Sequence, residues 1–513
     1  MHTTSRMSPI KTDEISKPEP RGEDSAIALV IMPPWGEPTI PIGLGYLSET
    51  LSSHGITHEV CDFNLEFYLK LAESNKELRE NWRPHKSNKW MQTDGVAEIL
   101  DEFSTCLEEA VRRLTEKTIP WLGFSVNQSN ARLTFETIRQ IKAIRPEQRI
   151  VVGGPGVFIL GERYNLEIEP GLVDMIVLGE GEQTLVNILS YDDNQGDYAN
   201  IPGVIVDPYQ HEYTRPTPIN LKQHHWPKYQ KFEVEKYPKG KKTLPLSLGR
   251  GCVCRCKFCG DHPFWGKYRS RDGRTLIDEI SYHIGHFGIT DFLFNDLAIN
   301  CDLKELQRFC KGIVKNRLSI SWSSYAFIRA MSDEDISLIA RSGCTHLRFG
   351  MESGSDRVLE LMNKPHRVKD AIKLFHKIHR AGIKINIGLM VGFPGETEED
   401  VELTCEFIQD QAKKLNEIES LSLFYIKPQS YVEQHHDQFG IIFPEDHRQR
   451  WNQWTDTDGG TYNQRVQRIY RVAEAITKSR VTFQVENIYG LDGPFEPPKP
   501  KRRIFPFSLF QNR

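Results

Sequence analysis

No run of 18 apolar residues occurs in the 513-residue chain, which excludes a membrane-spanning helix. There is no excess of positive charge either. Lys and Arg number 65 against 69 Asp and Glu, a net charge of -4, so neither nucleic acid nor a membrane surface is expected as a partner. The one basic run, 499–503, lies in a proline-rich end and reads as solvated charge. The first 25 residues lack the apolar stretch of a secretory signal and read as a disordered tail, so the protein is expected in the cytoplasm. No internal repeat is evident. A disulfide scaffold is excluded by the length of the chain and by where its cysteines fall: four of the ten lie within eight residues and the other six are scattered singly.

What is present is a composition able to bury real cores, 39% hydrophobic and 26% charged, in a chain long enough for two to four domains. From residue 26 short apolar strands alternate with amphipathic helices. Strands are expected at 27–32, 58–62, 121–126, 149–153 and 174–178, with helices at 44–53, 96–114, 131–143 and 184–191. That alternation predicts a parallel sheet covered on both faces, a Rossmann-like domain. Residues 63–92 look polar and read as an insertion, and His54 and His58 look like surface residues. Turns rich in Gly or Pro follow the strands: Pro33-Pro34-Trp35-Gly36, Gly153-Gly154-Pro155-Gly156 and Gly179-Glu180-Gly181-Glu182. In such a sheet ligands bind at the carboxyl ends of the strands, although these sequences also suit ordinary tight turns.

A small hairpin (203–206 with 212–216) and a polar linker lead to a second series. Strands are expected at 244–248, 292–294, 320–325, 346–350, 385–391 and 421–426, with helices between them. Six such units predict a partial TIM-like (β/α)6 barrel with its chemistry at the carboxyl ends of the strands. The division expected is 26–215, linker 216–243, barrel 244–430 and a small, mostly helical C-terminal region 431–513. That last region carries Tyr431, Trp451 and Trp454 and is expected to close the barrel mouth.

The cysteine group lies directly after the first barrel strand. Cys252, Cys256 and Cys259 have the spacing C-x3-C-x2-C. Thiolates are natural iron–sulfur ligands, and three on one loop can hold three corners of a cubane and leave the fourth iron open. A structural zinc site would want a second pair of ligands, and none is found downstream. With Phe258 at the aromatic position before the last cysteine, the segment resembles the radical S-adenosylmethionine (SAM) superfamily. The resemblance implies a 4Fe–4S cluster on Cys252, Cys256 and Cys259, with SAM chelated by its open iron and Phe258 near the adenine. Cys254 is an extra. Downstream, Asn295 and Asp296 match positions near the methionine amino group, and Glu352 matches a polar position that contacts the cofactor. Gly392 and Pro394 fall in the adenine-side segment. Read alone, Glu352 also suits a helix cap near Ser355.

The N-terminal series resembles the cobalamin-binding domain that precedes the radical domain in one large subgroup. Pro33, Pro34, Gly153, Gly154, Gly179 and Glu180 would then stand at the corrin. The motif D-x-H-x-x-G, whose His ligates cobalt, is absent, so the lower face would be unligated or screened by a side chain such as Trp35. The resemblance implies a cobalamin-dependent methyltransferase acting on an unactivated carbon of a natural-product or peptide substrate, fed by an electron donor such as flavodoxin or ferredoxin. An alternative is a cyclisation, rearrangement or other SAM-fragment transfer without cobalamin. A methylthiotransferase would need a second three-cysteine cluster in the N-terminal domain, where only Cys61 and Cys106 stand. An electron carrier would use four ligands and a small fold.

Overall fold

The structure, a computed structural model, describes residues 25–491 except 35, 37, 75–80, 83–89, 91–92, 160–167, 192–196, 207–213, 239–242, 445–452, 458, 485–487 and 490. Trp35, Trp451, the start of the expected hairpin's second arm and the N-terminal tail lie outside the described residues.

The first strand, β1 (Ile27–Ile31), is apolar throughout and buried throughout, as a central parallel strand covered on both faces must be. Its period of two splits it between two cores. Ile27, Leu29 and Ile31 face a core shared with Leu44, Leu51 and Leu185, while Ala28 and Val30 face Phe103, Phe124 and Phe135. The sheet runs β2 (His58–Asp62), β1, β3 (Trp121–Ser125), β4 (Arg149–Gly153), β5 (Met175–Val177), β6 (Val204–Ile205). All pairings are parallel except that of β6 with β5. Helices Ile42–Ser53, Thr93–Glu116, Ala131–Ile144 and Gly181–Leu189 connect and cover it.

Three expectations for this half are corrected. The described residues of 63–92 are not polar throughout. Phe63–Ser74 is a helix, and Phe63, Phe67, Trp82 and Trp90 are buried in the second core, with Trp82 and Trp90 ring centroids 5.7 Å apart. The charged residues between those aromatics hid the apolar stripe. His58 is buried, not exposed, its ring held between Ser48 Oγ (2.8 Å) and the Ile56 carbonyl (3.0 Å). The arm at 203–206 takes a different strand partner. Its β6 is the antiparallel edge strand beside β5, and it meets the second arm only where Gly203 N–H donates to the Thr214 carbonyl, among the described residues.

The second half opens with β7 (Thr243–Leu246). Past a two-stranded ribbon of β8 (Gly249–Arg250) with β9 (Arg269–Ser270), it continues β7 as one parallel sheet through β10 (Asp291–Phe294), β11 (Ser321–Ala326), β12 (Cys344–Glu352), β13 (Lys384–Val391) and β14 (Glu417–Leu423). Helices Thr275–Phe287, Leu303–Asn316, Asp333–Arg341, Val368–Arg380 and Glu398–Gln411 connect successive strands, so this is the expected partial barrel. Their starts are written in the chain. Asp302 accepts the Lys304 and Glu305 N–H groups, and Ser332 and Thr397 each form a reciprocal capping box.

The C-terminal region adds strands to the barrel sheet. A short antiparallel pair, β15 (Ile441–Ile442) with β16 (Thr455–Asp456), leads to helix Tyr462–Ser479, which lies along Glu398–Gln411. After it, β17 (Thr482–Phe483) and β18 (Ile488–Tyr489) both pair in parallel with β14, extending the barrel sheet. Trp454 is buried and Tyr431 is exposed. Among the described residues no helix is long and apolar enough to cross a membrane.

Candidate active site

β7 ends at the loop that carries the cysteines. The β8–β9 ribbon brackets this loop, which is pinned from three sides. The Leu248 and Gly249 N–H groups donate to Asp296 at 2.9 and 2.6 Å, tying the loop's root to the end of β10. Lys257 N–H donates to the Met362 carbonyl, and the Lys257 carbonyl accepts from Val432 N–H. Asn363 Nδ2 donates to the Arg255 carbonyl at 2.7 Å. The loop is thus shaped by β10, by the segment after β12 and by the C-terminal region before any ligand arrives.

All four loop cysteines are partly buried and free. The Cys254 N–H points at Cys252 Sγ, 3.4 Å away. The Cys252 thiol is held well below its ordinary value by hydrogen bonds from the Cys254 and Cys301 thiols, which are pushed up in turn. Burial raises Cys256, and burial with the nearby Asp261 carboxylate raises Cys259 to about 12. Among the described residues no three His, Cys, Asp or Glu side chains converge on one point to chelate a single ion. Cys252, Cys256 and Cys259 are thiols on one loop at the carboxyl end of the first barrel strand, and in donor chemistry and placement they fit an iron–sulfur cluster. Cys301, on the loop after β10, is a further thiol at this site. Sequence spacing could not reveal it, because it is 49 positions from Cys252.

The expected cofactor contacts find varied settings. Glu352 ends β12 with a left-handed backbone (φ 64°), and its Oε1 lies 3.1 Å from Lys364 Nζ, both side chains largely buried. It caps no helix, since Ser355 takes that role through Val358 N–H. Lys364, which sequence reasoning missed, also stands 5.7 Å over the Phe258 ring. Phe258 packs at the margin of a cluster containing Met362, Phe393, Phe424 and Trp454. Asn295 is exposed at the strand end, whereas the Asp296 carboxyl is buried and, despite its two N–H donors, burial pushes it up to about 7. Its partners make it a positioning group for the cysteine loop. Gly392 adopts φ 85° and gives its N–H to buried Glu396 at 2.6 Å, while Arg465 occupies the space that a Cβ would need. Pro394 is buried beside it.

The two halves are clamped two residues before Cys252. Arg250 reaches Glu180 at 2.8 Å and Glu182 at 2.6 Å, and Arg269 reaches the other oxygen of Glu180 at 2.7 Å. Ile219 N–H donates to Glu180 as well. The Tyr46 and Trp265 rings cover the Arg250 guanidinium at 4.6 and 5.7 Å. Burial would raise the Glu180 carboxyl, but the arginines hold it below its ordinary value. Glu180 thus has an interdomain task that its turn position did not announce, and the Gly179-Glu180-Gly181-Glu182 turn faces the barrel.

Of the remaining N-terminal strand ends, that of β2 carries Asp62, which accepts from the Tyr237 hydroxyl and the Leu65 N–H, and the others are uncharged turns. Gly154 (φ 105°) lies against the Val126 carbonyl, where a Cβ would come within 2.6 Å, and a Cβ on Gly156 would meet the Asn127 backbone. Gly153 has ordinary room, and Gly179 (φ 85°) lies near Pro216. Pro34 supplies its carbonyl to Ser129 Oγ, and the Pro33–Pro34 bond is cis. His224 stands at this edge, stacked on Tyr46 with its Nε2 3.7 Å from Glu182. The glycine and proline turns beside it leave backbone and shape to meet a large ligand.

Residues 246–408 match the radical SAM superfamily. An uncharacterized methyltransferase of Pyrococcus horikoshii is 28% identical over 334 residues, 63% of this chain and 69% of that protein. The anaerobic magnesium-protoporphyrin IX monomethyl ester cyclase of Rubrivivax gelatinosus is 26% identical over 292 residues, 53% of this chain, and the match spans only about half (51%) of that relative. Among solved structures, the radical SAM methyltransferase TsrM of Kitasatospora setae, with cobalamin and a [4Fe–4S] cluster bound, superposes with a TM-score of 0.63 at 17% identity, covering 90% of this chain and 93% of that one. The cobalamin-dependent radical SAM enzyme OxsB gives 0.57 at 17% identity over 81% of this chain and 56% of that one. Residues 246–408 are thus a radical SAM domain. Taken whole, the chain has the fold of the cobalamin-dependent members of that superfamily: a Rossmann-like domain and then a partial barrel.

Proposed function

We propose that this protein is a radical SAM enzyme that cleaves SAM reductively at a 4Fe–4S cluster on Cys252, Cys256 and Cys259 and, with cobalamin, methylates an unactivated carbon of a natural-product or peptide substrate. One observation carries the reading: the three-cysteine loop at the barrel's carboxyl edge is clamped through Arg250 to the carboxyl edge of a Rossmann-type sheet. When bound, the cluster with SAM supplies a 5'-deoxyadenosyl radical, and cobalamin supplies a methyl carrier.

The chain's own residues orient and shield. Asp296, Met362, Asn363 and Val432 hold the loop in shape, so the three thiols are presented without a conformational search. Asn295 is available to a polar group at the end of β10, and Glu352 to one at the end of β12. Gly392 and Pro394 form the floor after β13, and Phe258 offers an apolar ring beside them. Pro33, Pro34, Gly153, Gly154 and Gly179 shape the facing edge for the corrin, and Glu180 fixes its distance from the barrel. Methyltransferases among the relatives, and the substrate-bound and cobalamin-bound state of the fold's neighbours, favour methyl transfer over cyclisation or rearrangement. We infer a low-potential one-electron donor of the flavodoxin or ferredoxin type and a cytoplasmic location.

The test is anaerobic purification, reconstitution with iron and sulfide, addition of hydroxocobalamin, desalting and an absorption spectrum. Cluster and corrin bands retained together, and then 5'-deoxyadenosine release with a methylated product, are expected. Cluster absorption without retained corrin would sink the cobalamin part of the reading.

A further inference from the structure

One buried charge beside the cysteine loop, Lys364, takes no part in the proposed chemistry. Its side chain is 11% exposed, and that of its partner Glu352 is 13% exposed. A buried ammonium is expensive unless it is compensated. One carboxylate at 3.1 Å compensates it in part. The Phe258 face lies 5.7 Å from the same ammonium, and the Cys252, Cys254 and Cys256 thiols all feel its charge.

The site is constructed for this pair. Lys364 N–H is fixed to the Leu359 carbonyl, and its neighbours Met362 and Asn363 grip the backbone of Lys257 and Arg255 inside the cysteine loop. Gly350 leaves the room: a Cβ there would collide with Glu352 Oε1 and stand 3.3 Å from Lys364 Nζ. Glu352 accepts a left-handed backbone to be there. Other charges at this loop are Lys427, buried on the Cys259 side, Asp261, the Asp296 carboxyl at its root, and Arg255 and Lys257 within it.

We propose that Lys364 is the counter-charge that sets the reduction potential of the cluster, with Glu352 partly offsetting it. The proposal rests on the assignment of the cluster to Cys252, Cys256 and Cys259. Reduction adds one electron, drawn from an external donor, to a group already made negative by three thiolates. A fixed ammonium beside them favours the reduced state and raises the potential, and a carboxylate does the opposite. No bond forms or breaks in this step. Lys364 is a tuning residue and requires no contact with SAM or substrate.

The test is a redox titration of the reconstituted protein without SAM, with dithionite as reductant and the cluster read by EPR, for wild type, Lys364→Gln, Lys364→Arg and Glu352→Gln. Iron and sulfide are counted in each. At a fixed potential Lys364→Gln is expected to show an about tenfold lower ratio of reduced to oxidised cluster, a midpoint about 59 mV more negative. Lys364→Arg should stay near wild type, and Glu352→Gln should move to a more positive midpoint. Opposite signs for the two neutral variants are what a merely structural pair would not give. Equal shifts in Lys364→Gln and Lys364→Arg, shifts of one sign in both neutral variants, or no shift would overturn the proposal. If Lys364→Gln does not fold, Glu352→Gln still decides, because an upward shift supports the proposal and an unmoved midpoint overturns it. Wild-type protein that holds no cluster would overturn the cluster assignment itself, whereas a loaded wild type with unmoved variants overturns this proposal alone.

Discussion

The two parallel sheets present their carboxyl edges to each other, yet the edges are unlike. The barrel edge carries thiols, a buried carboxyl at Asp296 and the Glu352–Lys364 pair. The N-terminal edge beyond its Glu180 clamp has one carboxyl, Asp62 at the end of β2, and otherwise glycine, proline and asparagine turns, several with positive φ. Under the proposed function, the edge that makes a radical must hold charge and ligands in place, while an edge that cradles a large ligand needs shape and few charges. On that proposal one fold principle, ligands at strand ends, would serve once for chemistry and once for support.

The sharpest way to test that contrast is to remove a thiol. Cys256→Ala should lose the cluster absorption and most of the iron and reduce SAM cleavage to background, whereas Cys254→Ala should keep both. Equal iron loss in the two variants would remove the special standing of the C-x3-C-x2-C set. Next comes the clamp that joins the edges. Arg250→Met leaves Glu182 without its guanidinium and Glu180 with Arg269 alone, and breaking a buried pair costs about 3–5 kcal/mol, so the urea midpoint should fall and limited proteolysis should cut between the halves. An unchanged midpoint would mean that the halves are held elsewhere. A smaller effect is expected at the N-terminal edge. Gly154→Ala, strained at φ 105° and pressed on the Val126 carbonyl, should cost about 1–3 kcal/mol and lower corrin retention while iron per chain stays at the wild-type value. Iron loss in that variant would blur the distinction between the edges.

The smallest effect concerns pH. Burial lowers His58 from its ordinary value to about 4, so between pH 6.5 and 4 the folded chain binds fewer protons there than the unfolded chain. Stability from this group is therefore full above pH 6.5 and is lost as pH falls from there towards 4. Thermal melts of wild type and His58→Gln at stepped pH should converge on the acid side. Parallel curves would show that the ring titrates normally.

Much of this was legible in the chain because the signals were local. The cysteine spacing, the aromatic Phe258 and the alternation of apolar strands with amphipathic helices all fit within a dozen residues, and the strands appeared within a few residues of their expected bounds. What escaped notice depended on distance. Glu180 and Arg250 are 70 positions apart and meet only after both domains fold, so a Gly-Glu turn read as a ligand contact. Lys364 comes after a helix that no motif marks, and Cys301 looked like one more scattered thiol. The aromatic stripe of Phe63, Phe67, Trp82 and Trp90 was masked by intervening charge, and His58 looked polar because its partners, Ser48 and the Ile56 carbonyl, are not visible in a local window.

The pairing of β17 and β18 with β14 has a consequence for how the protein fares in the cell. Without them β14 would present a row of unpaired N–H and C=O groups, a template on which another chain can add a strand. Two-residue strands cover that row and are themselves too short to recruit a partner. Chains cut before residue 481 would then be lost to aggregation even where their cysteine loop could still form.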